Sequence, residues 1–335
     1  MAISIKVIAR LAGVSHSTVS RALRDSPLIP RETADRIKRI AKEQGYAASA
    51  VARSLVTRRT QAVGVVVTSI ADPFNGEVVE GIEELANQQG YSVILATSQA
   101  LPERELAVVR SFHERRVDGI VVASSRLGSH YMSVLSELNV PIVLLNNQHP
   151  GEFVHSISID NAEGTYQTTT HLLNLDHRRI GYVGDQFGLD SDAGRLAGFE
   201  RAMHEAGIEL PGEYFVSGDG KREGAARACA DLLNLAMRPS AVVCYNDMTA
   251  LGVMDAAANL GLSIPRDLSV AGFDDLFFTS ALQPPLTTLR QPKRAMGRKA
   301  MELLLALLKE QPAERAELVR GELIVRGSTA APQPV

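Results

Sequence analysis

A segment of seven residues, Ser15 to Arg21, carries side chains with the chemistry to hold or read nucleic acid. The Arg21 guanidinium can donate two hydrogen bonds to guanine O6 and N7, and His16 and Ser17 can donate or accept at base edges. Ser15 and Thr18 are better suited to phosphate oxygens, which position a protein without reading sequence. A second set of polar residues follows short apolar runs. Asn146 and Asn147, Asn246 and Asp247, and Asp274 and Asp275 each stand where such a run ends. In open parallel sheets, ligands bind beyond the carboxyl ends of the strands. These carboxylates and amides therefore supply candidate hydrogen-bonding groups for a bound small molecule.

The elements that must position both sets are legible from spacing. Ile5, Ile8, Ala9 and Ala12 fall at i, i+3, i+4 and i+7, the apolar face of a helix. Gly13 breaks the pattern where a sharp bend needs a permissive backbone. Ser15 can cap a short second helix, with Val19 and Leu23 on its buried side and His16, Ser17 and Arg21 opposite. This is the layout of a helix-turn-helix, whose second helix enters the major groove. A third helix is expected from about Arg31 to Gln44, with Ile37, Ile40 and Ala41 inward and Gly45 ending it. The small-residue run Ala47–Leu55 is compatible with a helix but too short to hold one alone in water. Val56 to Thr60 reads as a connector. From Gln61 the pattern changes to apolar runs separated by helical stretches: Ala62–Thr68, Tyr91–Ala96, Gly119–Ala123, Pro141–Leu145, Ile180–Val183, Ala241–Cys244 and Leu268–Phe273. Repeated strand–helix units mean parallel sheets with helices on both faces. About ten strands exceed one comfortable sheet, so two α/β lobes are expected.

Composition bounds the alternatives. With 45% apolar residues in 335, the chain can bury a sizeable core. The net charge of −3 hides an asymmetry. Residues 1–60 hold 12 Lys/Arg against 4 Asp/Glu, and the remainder holds 23 against 34. A basic head on an acidic body suggests a polyanion bound at one end. Cys229 and Cys244 are too few and too far apart for a disulfide framework or a zinc site, and they fit a reducing cytoplasm. No apolar run approaches the ~20 residues of a membrane span, and the N-terminus lacks the apolar core of a signal peptide.

The chain resembles the lactose-repressor (LacI) family of bacterial transcription regulators over nearly its whole length. The resemblance rests on Ala9-Arg-Leu-Ala-Gly-Val-Ser15, Ser17-Thr-Val-Ser-Arg-Ala-Leu23, Ala50-Val-Ala-Arg-Ser-Leu55, Asp160-Asn161, Asp176-His-Arg-Arg-Ile-Gly181, Arg195-Leu-Ala-Gly-Phe199, Tyr245-Asn-Asp247, Gly272-Phe-Asp-Asp275 and Pro285-Leu-Thr-Thr288. Their order and spacing together are highly specific. It implies an α/β chain with a three-helix helix-turn-helix head (1–46), a hinge helix and linker (47–60), and a two-lobed core of parallel sheets (61–330) similar to periplasmic sugar-binding proteins. One lobe would comprise 61–160 and about 291–320, the other 161–290 and about 321–330.

The resemblance also implies roles. Ser15, His16, Ser17, Thr18 and Arg21 would meet DNA. Ser49, Arg53 and Leu55 would do so from the hinge, with Leu55 wedged between base pairs in the minor groove at a cost of a few kcal/mol of stacking. Hinge helices from two subunits would order on the operator. In the core, Asn246 and Asp274 would hold ligand hydroxyls, Arg195 would fork onto another oxygen, Asn146 would add an amide, and Phe74 an apolar wall. A duller role is open to each: a solvated polar face in the head, a strand-end residue capping a helix in the core. Departures stand out. Val7 and Pro30 replace an acidic residue and a capping Ser, and Ala48-Ser49 replaces Pro-Asn before the hinge. Gly220 stands where many relatives stack an aromatic on the ligand, followed by Lys221 and Arg222, which suggests a larger or negatively charged ligand. Leu189 stands where the purine-binding branch has an arginine.

The expected protein is thus a cytoplasmic, nucleoid-associated repressor. It would bind a palindromic operator in double-stranded DNA as a homodimer, with a carbohydrate effector between its lobes, no cofactor, no metal and no membrane partner. The short tail after Ile324-Val-Arg326 has no leucine heptads, which argues for a dimer over a tetramer. Two alternatives are a periplasmic-type solute-binding protein and a regulator controlled by a protein corepressor. Catalysis finds little support: Gly220-Lys221 lacks the earlier glycine and following Ser/Thr of a phosphate loop, and the histidines lack metal-ligand spacing.

Overall fold

The chain folds as two units, Met1–Gln61 and Ala62–Val335. The computed structural model describes residues 4–23, 25–46, 59–125, 127, 137–138, 140–147, 155–209, 211–312 and 316–333. In the first unit, α1 (Ile5–Ala12), α2 (His16–Ala22) and α3 (Arg31–Glu43) surround a small core of Ile8, Ala12, Val19, Ala22, Ile37 and Ala41. Gly13 takes φ +64°, a left-handed conformation that lets the chain reverse between α1 and α2. Ser15 caps α2 by accepting a hydrogen bond from the Thr18 amide at 3.1 Å. Pro30 precedes α3 and offers no side-chain cap, which a proline at a helix start tolerates.

The second unit contains two six-stranded sheets. The first is built from β1 (Ala62–Val67), β2 (Ser92–Thr97), β3 (Gly119–Ala123), β4 (Ile142–Leu145) and β5 (His155–Ile159), with α4 (Pro73–Gln88) and α5 (Pro102–Glu114) between strands. The second is built from β6 (Ile180–Asp185), β7 (Phe215–Gly218), β8 (Ala241–Cys244), β9 (Ser269–Asp274) and β10 (Thr287–Arg290). Its helices are α6 (Asn161–Asn174), α7 (Asp190–Glu205), α8 (Arg222–Leu233) and α9 (Asp247–Asn259). The chain then returns through α10 (Lys293–Leu308) to β11 (Ala316–Val319) in the first sheet and ends through β12 (Glu322–Ile324) in the second. The orders are β11-β5-β4-β3-β1-β2 and β12-β10-β9-β8-β6-β7. All pairings are parallel except β10 with β12.

Alternation along each strand explains why helices cover both faces. Val63, Val65 and Val67 of β1 join the cluster with Val78 and Ile82 of α4 and Met301 and Leu304 of α10. Val66 faces the other way, toward Val109 and Phe112 of α5. In the second sheet, Val242 and Val270 pack against α8 and α9, while Val243 and Ala271 pack against α6 and α7. Helices α4 and α10 meet backbone to backbone. A Cβ on Gly81 would lie 2.0 Å from the Arg294 carbonyl oxygen, and one on Gly297 would lie 2.1 Å from that of Val78. Among the described residues, no helix is long and apolar enough to cross a membrane.

The chain passes between the sheets after β5, after β10 and after β11. These crossings place the carboxyl ends of β1 and β4 opposite those of β6, β8 and β9 across one cleft.

Candidate nucleic-acid interface and ligand cleft

On the head, Ser15, His16, Ser17 and Arg21 are exposed and Thr18 is half-buried, because Val19 and Ala22 take the inward positions of α2. Three hydroxyls gather at the start of this helix: Ser15 Oγ lies 2.7 Å from Ser17 Oγ and 2.9 Å from Thr18 Oγ1. Ser17 is therefore tied to the cap and joins Ser15 and Thr18 in one hydroxyl cluster. Arg21 stands in the last turn with its side chain toward solvent. Ser49, Arg53 and Leu55 lie outside the described residues.

The core holds a cavity of about 800 Å³ between its two lobes. Phe74, Asn146, Arg195, Lys221, Asn246 and Asp274 all line it. Phe74 opens α4, where the Asp72 carboxylate accepts its amide at 3.0 Å and caps the helix. Asn146 follows β4 with φ +49°, and its Oδ1 accepts the Ile159 amide at 3.1 Å. Asn246 caps α9: its Oδ1 accepts the Thr249 amide at 2.7 Å and its Nδ2 donates to the Gly220 carbonyl at 3.1 Å. Both amides thus also perform the structural task open to strand-end residues, bracing the loops that form the wall.

Arg195 is 5% exposed, and the protein itself occupies most of its guanidinium. Nε donates to Asn161 Oδ1 at 2.9 Å and Nη1 to the Tyr245 carbonyl. Its plane lies 3.8 Å from the centre of the Phe273 ring and 4.6 Å from that of Tyr245. The remaining nitrogen, Nη2, reaches 4.0 Å from Asp274 Oδ1. Asp274 ends β9 with φ +123°, a strained backbone held by neighbours. Its Oδ1 accepts from Gln291 Nε2 at 2.6 Å, and Lys293 Nζ donates to its carbonyl at 2.7 Å. Burial raises its carboxyl above the usual range, the Arg195 charge opposes that, and the negative charge of Asp72 adds to it. Burial likewise raises Asp72, against the hydrogen bond from the Phe74 amide.

Asp247 is not among the cleft residues. It is fully buried and braces the loop after β9, accepting from Thr288 Oγ1 at 2.6 Å and the Leu276 amide at 2.8 Å. Asp275 does similar work, pairing with Arg290 and Arg326 at 2.7 and 2.6 Å. Arg222 also turns away from the cleft, with Nη2 2.9 Å from Asp255 Oδ1. Gly220 lines the cleft with φ +72°, a conformation in which an aromatic side chain would be strained. On this backbone, a stacking residue at position 220 would carry strain.

Several cleft residues were not singled out from sequence: Asp72, Asp185, Ser191, Tyr245 and Gln291. Tyr245 meets Ser191 through their hydroxyls at 2.9 Å, and Asp185 accepts the Phe187 amide at 2.7 Å. Asp72 and Asp185 each follow or end a buried strand, so the rule that selected Asn146 and Asp274 reaches them too. Gln291 carries no such signal, because it becomes part of the wall only through the crossing after β10.

Residues 4–49 match the family described as bacterial regulatory proteins, lacI family, and residues 169–329 match a periplasmic binding protein-like domain. The chain is 35% identical over 325 residues to the HTH-type transcriptional repressor PurR of Vibrio vulnificus, covering 96% of this chain and 97% of that protein. It is 34% identical over 331 residues to the HTH-type transcriptional regulator RegA of Clostridium saccharobutylicum, covering 98% and 100%. Its fold is similar to a crystal structure of the lac repressor dimer bound to operator and the anti-inducer ONPF, with TM-score 0.90, 27% identity and 99% and 100% coverage. It is also similar to a complex of the transcriptional regulator CelR with cellobiose, with TM-score 0.75, 28% identity and 97% and 99% coverage. The head's exposed recognition helix, the two-lobed core and these full-length likenesses converge on one conclusion: the chain belongs to the LacI family of DNA-binding transcriptional regulators.

Proposed function

We propose that this regulator represses transcription as a cytoplasmic homodimer, that it grips a palindromic operator, and that a carbohydrate bound between its lobes controls it. The head comprises residues 1–46, the hinge 47–60 and the core 61–330. Arg21 and His16 meet base edges, and the hydroxyl cluster of Ser15, Ser17 and Thr18 meets the flanking backbone. From the hinge, Leu55 enters the minor groove, and Ser49 and Arg53 also contact DNA. No catalytic role is assigned to any residue.

The single observation that carries the ligand assignment is the cavity of about 800 Å³ on which all six candidate residues converge from both lobes. That volume suits a small molecule. Its dense donors and acceptors suit a polyol, since a buried polar group without a partner is costly. The relatives point the same way: one structural neighbour is a cellobiose complex. An anion is disfavoured, because seven carboxylates and two cationic side chains line the cavity and Arg222 is committed to Asp255. The lac-like head over residues 4–49 argues against a periplasmic solute-binding protein.

The mechanism is linkage. A ligand that favours one arrangement of the lobes shifts operator affinity by its affinity difference between arrangements, typically about 1–3 kcal/mol. Gel shifts with operator candidates from the neighbouring promoters, with and without a carbohydrate panel, test this. A retarded complex whose amount changes with one sugar supports it. Binding that no sugar alters, together with no heat of sugar binding to the free protein, overturns it.

A further inference from the structure

Three acceptor groups of the cleft keep capacity for a further donor among the described residues. Asp72 Oδ1 accepts the Phe74 amide, and among the described residues no cation pairs with this half-buried carboxylate. Asp274 Oδ1 takes the Gln291 amide, and among the described residues Oδ2 receives no hydrogen bond. Gln291 is 2% exposed and lines the same cleft; its Oε1 is buried and has no partner among the described residues. A buried acceptor left unsatisfied is costly, so an orphan beside an acidic cavity marks the place of a donor. The three groups come from different segments: the loop after β1, the end of β9, and the crossing after β10. Seven of the nine charged side chains lining the cavity are carboxylates. Of the two cations, Arg195 is engaged by Asn161, Tyr245 and two aromatic faces, and its Nη2 lies 4.0 Å from Asp274 Oδ1, which leaves Asp274 Oδ2 for a further donor.

A neutral hydroxyl supplies one donor and no charge. An ammonium supplies three donors, no acceptor and a positive charge. Hydrogen bonds from a cation to a carboxylate are roughly twice as strong as neutral ones. We propose that the ligand of this cleft is an amino sugar, whose ammonium group is held by Asp72, Asp274 and Gln291 while its hydroxyls meet the remaining polar wall. This rests on the reading of the cleft as a carbohydrate site and narrows it to a cationic carbohydrate. The lobes contribute unequally. Asp72 belongs to the first and Asp274 to the second, so the ammonium bridges them.

Isothermal titration of the full chain tests the assignment with matched probes: glucose, galactose and mannose, their 2-amino-2-deoxy counterparts, and the N-acetylated forms of those amines. One free amine is expected to bind at least tenfold more tightly than both its parent hexose and its N-acetyl form. Asp72→Asn keeps a cap acceptor for the Phe74 amide, so the helix start is preserved. This variant should lose most of that preference while retaining the wild-type melting temperature. Gln291→Met should weaken amine binding in the same direction, and Arg222→Ala, outside the cleft, should not. A parent hexose or N-acetyl sugar that binds as tightly as the amine overturns the ammonium assignment and leaves the carbohydrate reading standing. Absence of binding by every probe overturns both.

Discussion

At the scale of single residues, the strand-end amides perform two tasks, and substitutions can separate them. Asn246→Ala removes the cap of α9 and should cost about 1 kcal/mol of stability, read as a lowered melting temperature. Asn246→Asp keeps the cap acceptor but sets a carboxylate oxygen against the Gly220 carbonyl where an amide donated, so it should keep the helix cap, displace the Gly220 loop and bind ligand less tightly. Equal ligand affinity for Asn246→Asp and wild type would show that only the cap matters. On the head, Arg21→Ala should weaken operator binding by about 1–3 kcal/mol and relax selectivity at one base position. Ser15→Ala should instead weaken binding to all sequences alike and also lower head stability, because the same hydroxyl caps α2. Competition gel shifts against operators changed one base at a time distinguish the two patterns.

At the scale of elements, a buried histidine joins Ser328 and Ser269 in tying the second sheet to the C-terminal segment. His177, between α6 and β6, lies 2.8 Å from Ser240 Oγ through Nδ1. Its Nε2 lies 3.1 Å from Ser269 Oγ and 2.8 Å from the Ala330 carbonyl. Burial lowers its pKa below the ordinary 6.5, against the raising effect of the Ala330 carbonyl. The unfolded chain then binds the proton first. This group's contribution is fully present above the ordinary pKa and shrinks as pH falls through it toward the lower folded value. His177→Gln should therefore cost stability at pH 7.5, and the gap to wild type should narrow below about pH 6.5. Thermal melts across pH 5–8 test this, and a gap that widens on acidification contradicts it. The first lobe depends on a different device. Gly297→Val would drive side-chain atoms into the Val78 backbone and force α10 off α4. A loss of about 1–3 kcal/mol or more is expected from such overpacking, seen in chemical denaturation of the core.

At the scale of the whole molecule, the charge asymmetry governs encounter with DNA. Residues 1–60, with 12 basic and 4 acidic side chains, precede a body that carries an excess of carboxylates. Operator affinity should fall by several powers of ten between low and moderately raised salt, since each phosphate neutralised releases counterions. The acidic body repels the polyanion and so discourages contact by any other surface. Ligand affinity should depend far less on salt, because the carboxylates proposed to hold the ligand, Asp72 and Asp274, are half-buried and buried and so are screened less. Titrations of both ligands across the same salt series test the contrast. Parallel slopes for DNA and for the small molecule would refute it.

How much of this was legible in the sequence differs by element. Helices α1 to α3 were readable because their inward residues recur at helical spacing and Gly13 marks the turn. Buried strands such as β1 and β8 were readable because both faces are covered, which leaves continuous apolar runs. Strands β5, β7, β10, β11 and β12 were not singled out. They are short, and His155-Ser-Ile-Ser-Ile159 or Thr287-Thr-Leu-Arg290 mix polar residues into positions that only neighbouring strands make interior. The chain alone thus determined the basic head, the helix-turn-helix and the strand-end polar groups, because these follow from local periodicity, charge and turn chemistry. Only the tertiary structure decided which of those groups share a cavity. It turned Arg222 and Asp247 away, set the Gly220 backbone where an aromatic residue would carry strain, and brought Gln291 beside Asp274. The shared cavity depends on three chain crossings between sheets, and contacts between residues far apart in sequence leave no local pattern to read.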